Sequence, residues 1–238
     1  MTVIMGIINL TPDSFYEPSR YDMSVLDSDA DIVDIGAVST RPGHSEVSLE
    51  EEWARLEPFL RTLNTDKSIS IDTTRAEIVR RVYDMTGPFI VNDVSAGEDD
   101  PGMLPLVGEL GLRYIAMHRY PLNVDELEYF RHFDRKAELY GIDDWILDPG
   151  FGFNKDVDEN LRLLNSLSSL KVFGRPVLVG VADKRFTRAG TGTEEAHLIA
   201  LRQGAGILRV HDVKKARQTA RLYEESLVKQ TGRRVAVP

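Results

Sequence analysis

A chain of 238 residues, 42% hydrophobic and 28% charged, can bury a sizeable core and suits one domain over residues 1–238 better than two small ones. Its 29 basic and 38 acidic side chains leave a net charge of −9, which disfavours nucleic acid and anionic membrane as partners but does not forbid an anionic small molecule in a pocket of opposite local field. The absence of cysteine excludes disulfides, thiolate metal sites and cysteine nucleophiles, and fits a reducing cytoplasm.

In chain order, Val3 to Ile8 is an apolar run too short to cross a bilayer. It has neither the basic start nor the cleavage site of a signal peptide, so it is expected to be a first core strand. Ile32 to Ile35 reads as the second strand, and Asp22 to Ser28 between them leaves room only for a very short helix. Leu49 to Leu63 should be helical, with Ser48 as N-cap and Glu51 completing a capping box. A strand is expected at Ser68 to Ile71, then a helix from Arg75 to Tyr83 with Ile78, Val79 and Val82 on one face. Further strands are expected at Phe89–Val91, Tyr114–Met117, Trp145–Leu147, Val177–Val181 and Gly206–Val210. Helices are expected at Val124–Tyr140, at Glu194–Gln203 ending on Gly204, and at Val213–Val228, followed by a frayed tail over 229–238. Alternating strands and helices imply parallel pairing with right-handed crossovers. About eight strands in this length favour a closed (β/α)8 TIM barrel, here with a shortened first crossover helix.

Polar residues recur where these strands end: Asn9, Asp34 with Gly36, Asp72, Asn92 with Asp93, His118, Asp148, Lys184, and Arg209 with His211. In a barrel such positions project to the C-terminal face, where loops build the active site. Carboxylates and an Asn there can match the donor and acceptor edge of a flat heterocycle. Taken singly, Asp72 before Thr73 and Thr74 could cap a helix, and Asp148 before Pro149 and Gly150 could form a turn.

The blocks IINLTPDSF, DIGAVSTRPG, SIDTTRAE, FIVNDVS, Met117-His118, ILDPGFGFNK, PVLVG before Lys184-Arg185-Phe186, and GTGTEEAHLIALRQGAGILRVHDV follow one another through nearly the whole chain. In that order they resemble the signature blocks of the dihydropteroate synthase family. The resemblance implies an enzyme that joins a pterin pyrophosphate to 4-aminobenzoate and releases pyrophosphate. It assigns the pterin to Asp72, Asn92, Met117, Asp148, Lys184 and Arg209, with Lys184 reaching the ring carbonyl and Arg209 stacking on the ring, a role that suits a planar guanidinium. The pyrophosphate falls to Asn9, Arg41, Arg209 and His211, with Asn9 also contacting Mg2+, an ion that commonly shares its ligands with substrate phosphates. Thr40, Pro42, Phe153, Arg185 and Phe186 are the candidates for 4-aminobenzoate; Phe153 could equally plug the barrel mouth and Arg185 could be a surface residue. Asp13 is the candidate for stabilising a cationic pterin in a dissociative substitution, beside a simpler role as a turn residue in TPDS. Asn9, Asp13, Arg41 and Lys184 thus form the expected catalytic set. A homodimer is also implied by the resemblance.

Two segments depart from the family pattern. Ala182-Asp183-Lys184 stands where Ser-Arg-Lys is usual, placing a carboxylate beside an anionic substrate. The segment after NLTPDSF, YEPSRY, is short and lacks glycine. The alternatives are a non-catalytic pterin-binding paralogue and a methyltetrahydrofolate-dependent methyltransferase, whose substrate has no pyrophosphate to engage STRPG and RVHDV. A metal-dependent hydrolase would want more strand-end histidines than His118 and His211.

Overall fold

The computed structural model describes residues 1–10, 23–38, 47–181, 187 and 192–231. Eight strands form one parallel sheet: β1 Val3–Asn9, β2 Ile32–Gly36, β3 Ser68–Asp72, β4 Ile90–Asp93, β5 Arg113–Met117, β6 Trp145–Asp148, β7 Leu178–Val179 and β8 Ile207–Val210. They hydrogen-bond in the order β6-β5-β4-β3-β2-β1-β8-β7. The remaining seam, β6 to β7, is closed by a parallel bridge between Leu147 and Val177, with the Leu147 N–H donating to the Pro176 carbonyl at 3.0 Å. The sheet is therefore the expected TIM barrel.

The described helices are α1 Leu49–Thr62, α2 Ala76–Thr86, α3 Met103–Leu110, α4 Glu126–Tyr140, α5 Val157–Ser166, α6 Thr193–Gln203 and α7 Val213–Thr231. Ser48 and Glu51 make the expected capping box on α1. Three features differ from the sequence expectations. First, α3 and α5, with a 3-10 stretch over Leu167–Phe173, lie where no helix was expected. Pro105 and Gly108 read as breakers inside α3, yet Pro is tolerated in a first turn, and Gly108 lets Tyr140 approach, since a Cβ there would sit 1.8 Å from the Tyr140 carbonyl oxygen. The Asp156–Glu159 capping box that opens α5 was a readable signal. Second, β7 is only two residues long; Val177 before it bridges to Leu147, and its carbonyl accepts from the Gly206 and Ile207 N–H groups at 2.9 and 3.1 Å. Third, α7 runs on to Thr231, since no breaker precedes Gly232.

Side chains alternate along every strand, so two cores form. Inside the barrel, Met5, Ile32, Ile90, Ile115, Ile146, Leu178 and Ile207 make one apolar plug. Outside it, Ile4, Ile8, Val33, Ile35, Ile71, Val91, Tyr114, Trp145, Leu147 and Leu208 pack beneath the helices. The first crossover contributes only the 3-10 turn Met23–Val25 among the described residues. Gly6 makes this short cover possible: a Cβ there would meet Val25 Cγ1 at 2.6 Å and Val213 Cγ2 at 2.9 Å, so the crossover and the start of α7 close directly over β1. No helix of the described residues is long and apolar enough to cross a membrane.

Gly6→Ala should overpack this contact and cost about 1–3 kcal/mol. Urea unfolding of the two proteins checks this, and equal midpoints would show that the cover gives way freely.

Candidate active site

The inner face carries the chemistry two residues beyond the apolar plug. Ile32 is followed by Asp34, Ile90 by Asn92, Ile115 by Met117, Ile146 by Asp148 and Ile207 by Arg209. On β3 the same face reads Ser70 then Asp72, and on β1 it ends at Asn9. Strand registry pairs Gly36 with Asp72, Asp72 with Asn92, and Met117 with Asp148.

Arg209 is the centre of the group. Its Nε donates to Asp34 Oδ2 at 2.7 Å, its Nη2 lies 2.6 Å from the same oxygen, and Nη2 donates to Asp72 Oδ2 at 2.9 Å. Asn92 Nδ2 donates to both oxygens of Asp34 at 3.2 Å. Asp34 is fully buried, whereas the Arg209 side chain keeps 24% of its surface exposed toward the mouth. Burial opposes the arginine charge, but Asp34 and Asp72 more than offset it, so the pKa of Arg209 stays above its ordinary value. For Asp72 burial dominates; with Asp34, Asp93 and Glu52 adding to it and Arg209 opposing, its pKa is pushed up from an ordinary 3.8 to about 7. Asp72 Oδ1 is buried and has no hydrogen-bond partner among the described residues. An orphaned acceptor of this kind is suited to an incoming N–H donor. Gly36 keeps the wall thin here: a Cβ would lie 3.4 Å from Asp72 Cβ and 3.8 Å from Asn9 Oδ1.

Opposite, Asp148 ends β6 and its Oδ1 accepts the Gly150 N–H at 2.8 Å. Met117 is buried beside Gly150. Phe153 is half-buried on the same loop. His211 is exposed after β8 and lines a groove formed with residues 24–29 and α7.

Asn9, Asp72, Asn92, Met117, Asp148 and Arg209 thus share the inner face at one end of the barrel. Asp93 and His118 do not, correcting the expectation that all the strand-end polar groups face the mouth. Each lies one residue beyond an inward one, so alternation turns it outward. Asp93 accepts from the Tyr114 hydroxyl at 2.6 Å and from the Ser95 and Gly97 N–H groups. The buried His118 ring packs against Tyr120, Tyr129 and Phe130, and its pKa is pushed down to about 4 by burial and then by Lys155. Asp13, Thr40, Arg41, Pro42, Lys184, Arg185 and Phe186, like Ala182 and Asp183, lie outside the described residues. The sequence reading gave no role to Asp34, which holds Arg209, or to Lys155, buried behind the Asp148 loop. Asp34 could have been found by its parity with Arg209's neighbours on the inner face; Lys155 had only its place at the end of ILDPGFGFNK.

Residues 5–211 match the pterin binding enzyme family. The chain is 32% identical to the dihydropteroate synthase of Bacillus subtilis, the match covering 96% of this chain and 90% of that protein. It is 35% identical to the mitochondrial folate synthesis bifunctional protein of Arabidopsis thaliana over 95% of this chain, and spans about half (50%) of that longer relative. Among solved structures, that of Xanthomonas albilineans dihydropteroate synthase with 4-aminobenzoic acid is similar at a TM-score of 0.85 and 33% identity, covering 100% of this chain and 94% of that one.

Two measurements probe the cluster. Asp34→Asn leaves Arg209 with a neutral partner in a largely buried place and should cost about 2–3 kcal/mol, the value for breaking a buried pair reduced for the exposed part of the arginine; an unchanged unfolding free energy would remove Asp34 as its anchor. Because the folded pKa of Asp72 is raised, the folded state holds its proton more tightly than the unfolded one. The stability of the wild type relative to Asp72→Asn should therefore fall as pH rises from about 3.8 to about 7 and level off above, as read by urea unfolding across that range.

Proposed function

The chain belongs to the pterin-binding enzyme family and, within it, to the dihydropteroate synthases, and from this premise we propose that it condenses 6-hydroxymethyl-7,8-dihydropterin pyrophosphate with 4-aminobenzoate to give 7,8-dihydropteroate and pyrophosphate. The observation that carries this reading is the gathering of Asp72, Asn92, Asp148 and Arg209 on the inner face at one end of the barrel. Asp72, Asp148 and the Asn92 amide oxygen can accept from the amino and ring N–H groups of a pterin, and Asp72 Oδ1, unpartnered among the described residues, supplies one such acceptor. Arg209 is held flat by Asp34 and Asp72, as a guanidinium must be to lie on a ring face.

The bond that breaks joins the pterin methylene carbon to a diphosphate oxygen, which leaves with the electron pair. Positive charge left on the methylene is shared with the ring. The 4-aminobenzoate nitrogen then attacks that carbon and loses a proton. No covalent enzyme intermediate is required, so the chain's own work is to orient the two substrates and stabilise charge. Asp148 places an anion beside the cationic ring, Asp72 offers a further acceptor, and Arg209 stands over it. From the resemblance, Asp13 would face the cation, Asn9, Arg41 and His211 the diphosphate, Lys184 the pterin carbonyl, and Thr40, Pro42, Phe153, Arg185 and Phe186 the aminobenzoate.

Magnesium fits as an ion carried in on the diphosphate. Asn9 offers one amide oxygen at the mouth, and among the described residues no group of three His, Cys, Asp or Glu could hold a metal alone. When bound, the ion would neutralise charge on the leaving diphosphate, its other ligands being phosphate and water oxygens. A cytoplasmic homodimer completes the proposal, supported by the lack of cysteine and by the family resemblance.

Mixing both substrates with magnesium should release pyrophosphate, and omitting either should abolish the release. Pterin binding without release would instead mark a non-catalytic paralogue. Asp148→Asn exchanges an acceptor-only group for a mixed one and should lower kcat/KM by about 100-fold, the loss of two charge-assisted hydrogen bonds. Unchanged turnover would take Asp148 out of the pterin site.

A further inference from the structure

A buried ammonium stands behind the pterin side of the mouth. Lys155 follows the loop after β6, and its Nζ donates to the carbonyls of His118 at 2.9 Å, Gly150 at 3.0 Å and Phe153 at 3.3 Å. Three acceptors match the three donors of an ammonium. One belongs to the end of β5 and two to the loop that begins at Asp148. The loop presses close to β5: a Cβ on Gly150, whose φ is +71°, would sit 2.2 Å from the His118 carbonyl oxygen. Neutral groups hold the same loop too. Asn160 Oδ1 accepts the Gly152 N–H at 2.7 Å, its Nδ2 donates to the Lys155 carbonyl at 3.1 Å, and Asn154 Nδ2 donates to the Arg119 carbonyl at 3.0 Å.

Burying a cation is costly, so it matters what the charge adds that neutral donors do not. The charge attracts Asp148. To accept from both the amino group and the ring N–H of a pterin, that carboxyl must be ionised; one lone pair is already spent on the Gly150 N–H. We propose that Lys155 is a positioning residue of the pterin subsite, its ammonium tying the Asp148 loop to the end of β5 and holding Asp148 in the charged form that accepts the pterin edge. The inference rests on the pterin reading of the site.

The surroundings favour this role. Burial pushes the Lys155 pKa down to about 8, with Asp148, Glu126 from α4 and Glu159 from α5 pulling the other way, so the ammonium stays largely charged at neutral pH. His118, at the end of β5, is held neutral by burial and by Lys155 itself. Arg209 on β8 also attracts Asp148, and it is already shared between Asp34 and Asp72.

The test compares the ligand-free titration of Asp148 with pterin affinity. Protein carrying 13C-labelled aspartate is titrated by NMR, the Asp148 signal being assigned through Asp148→Asn. Binding of 6-hydroxymethylpterin, which has no carboxylate or phosphate of its own, is measured at pH 7. In Lys155→Gln the Asp148 midpoint should rise by about one pH unit and affinity should fall roughly tenfold. Lys155→Arg, which keeps the charge, should leave the midpoint at its wild-type value. Asn160→Ala, which loosens the loop but keeps the cation, should weaken binding without moving the midpoint. An unmoved midpoint in folded Lys155→Gln, or in Lys155→Met if the glutamine variant does not fold, overturns the inference. A wild type that fails to bind 6-hydroxymethylpterin, with the midpoint still moving, sinks the pterin reading and the subsite role with it.

Discussion

Arg209 brings a positive charge into the mouth of a barrel whose lower interior is largely apolar, and the site is organised around the need to accommodate it. A guanidinium cannot give up its proton at any ordinary pH, so its neighbours must do the balancing. Asp34, fully buried on β2, answers it from one side and Asp72 on β3 from another. Asn92 then spends its amide hydrogens on Asp34. The consequence reaches outward: with the arginine shared, burial prevails at Asp72, which keeps one oxygen without a partner among the described residues. The part of the site closest to a ligand is therefore left the least satisfied.

That arrangement sits on a largely apolar plug, to which β3 contributes Ser70. Seven inward residues from seven strands close the lower barrel with methyl and methylene groups. A water-filled interior would screen the cluster and weaken each of its contacts. On most strands the inward position beyond the plug is polar, and the contacts of Arg209 with Asp34 and Asp72 show that these groups meet at one end. Stability and chemistry thus occupy successive layers of one inner face, the division expected of this architecture.

The chain's net charge of −9 does not by itself fix the field at the mouth, where individual buried charges act. Arg209 at the mouth and Lys155 behind the Asp148 loop are both embedded, where low polarizability extends the reach of a charge. Many surface cations are already used up locally: Arg81 pairs with Glu50 and Glu77, and Arg119 with Asp99 and Glu98. The field that a substrate meets is set by a few buried groups rather than by the overall balance.

Local chemistry in the sequence determined a good deal of this protein. Short Ile- and Val-rich runs marked the strands, the Ser48–Glu51 capping box opened α1, and the polar residues at strand ends together with the motif blocks pointed to one barrel mouth and to the family. These signals are legible because each depends on residues adjacent in the chain. What only the tertiary structure decided depends on distances across it. Whether a strand-end group faces in or out is a matter of parity against the plug, which separates Asn92 from Asp93 and Met117 from His118 although each pair is contiguous. The helix at Met103–Leu110 carries its Pro in the first turn, and its Gly is where Tyr140 comes close. Asp34 is an anchor because Arg209, 175 positions away, returns beside it on closure, and Lys155 is a tie because β5 ends where the next loop bends back. Partners so far apart in the chain leave no local trace, since it is the closing of the barrel that makes them neighbours.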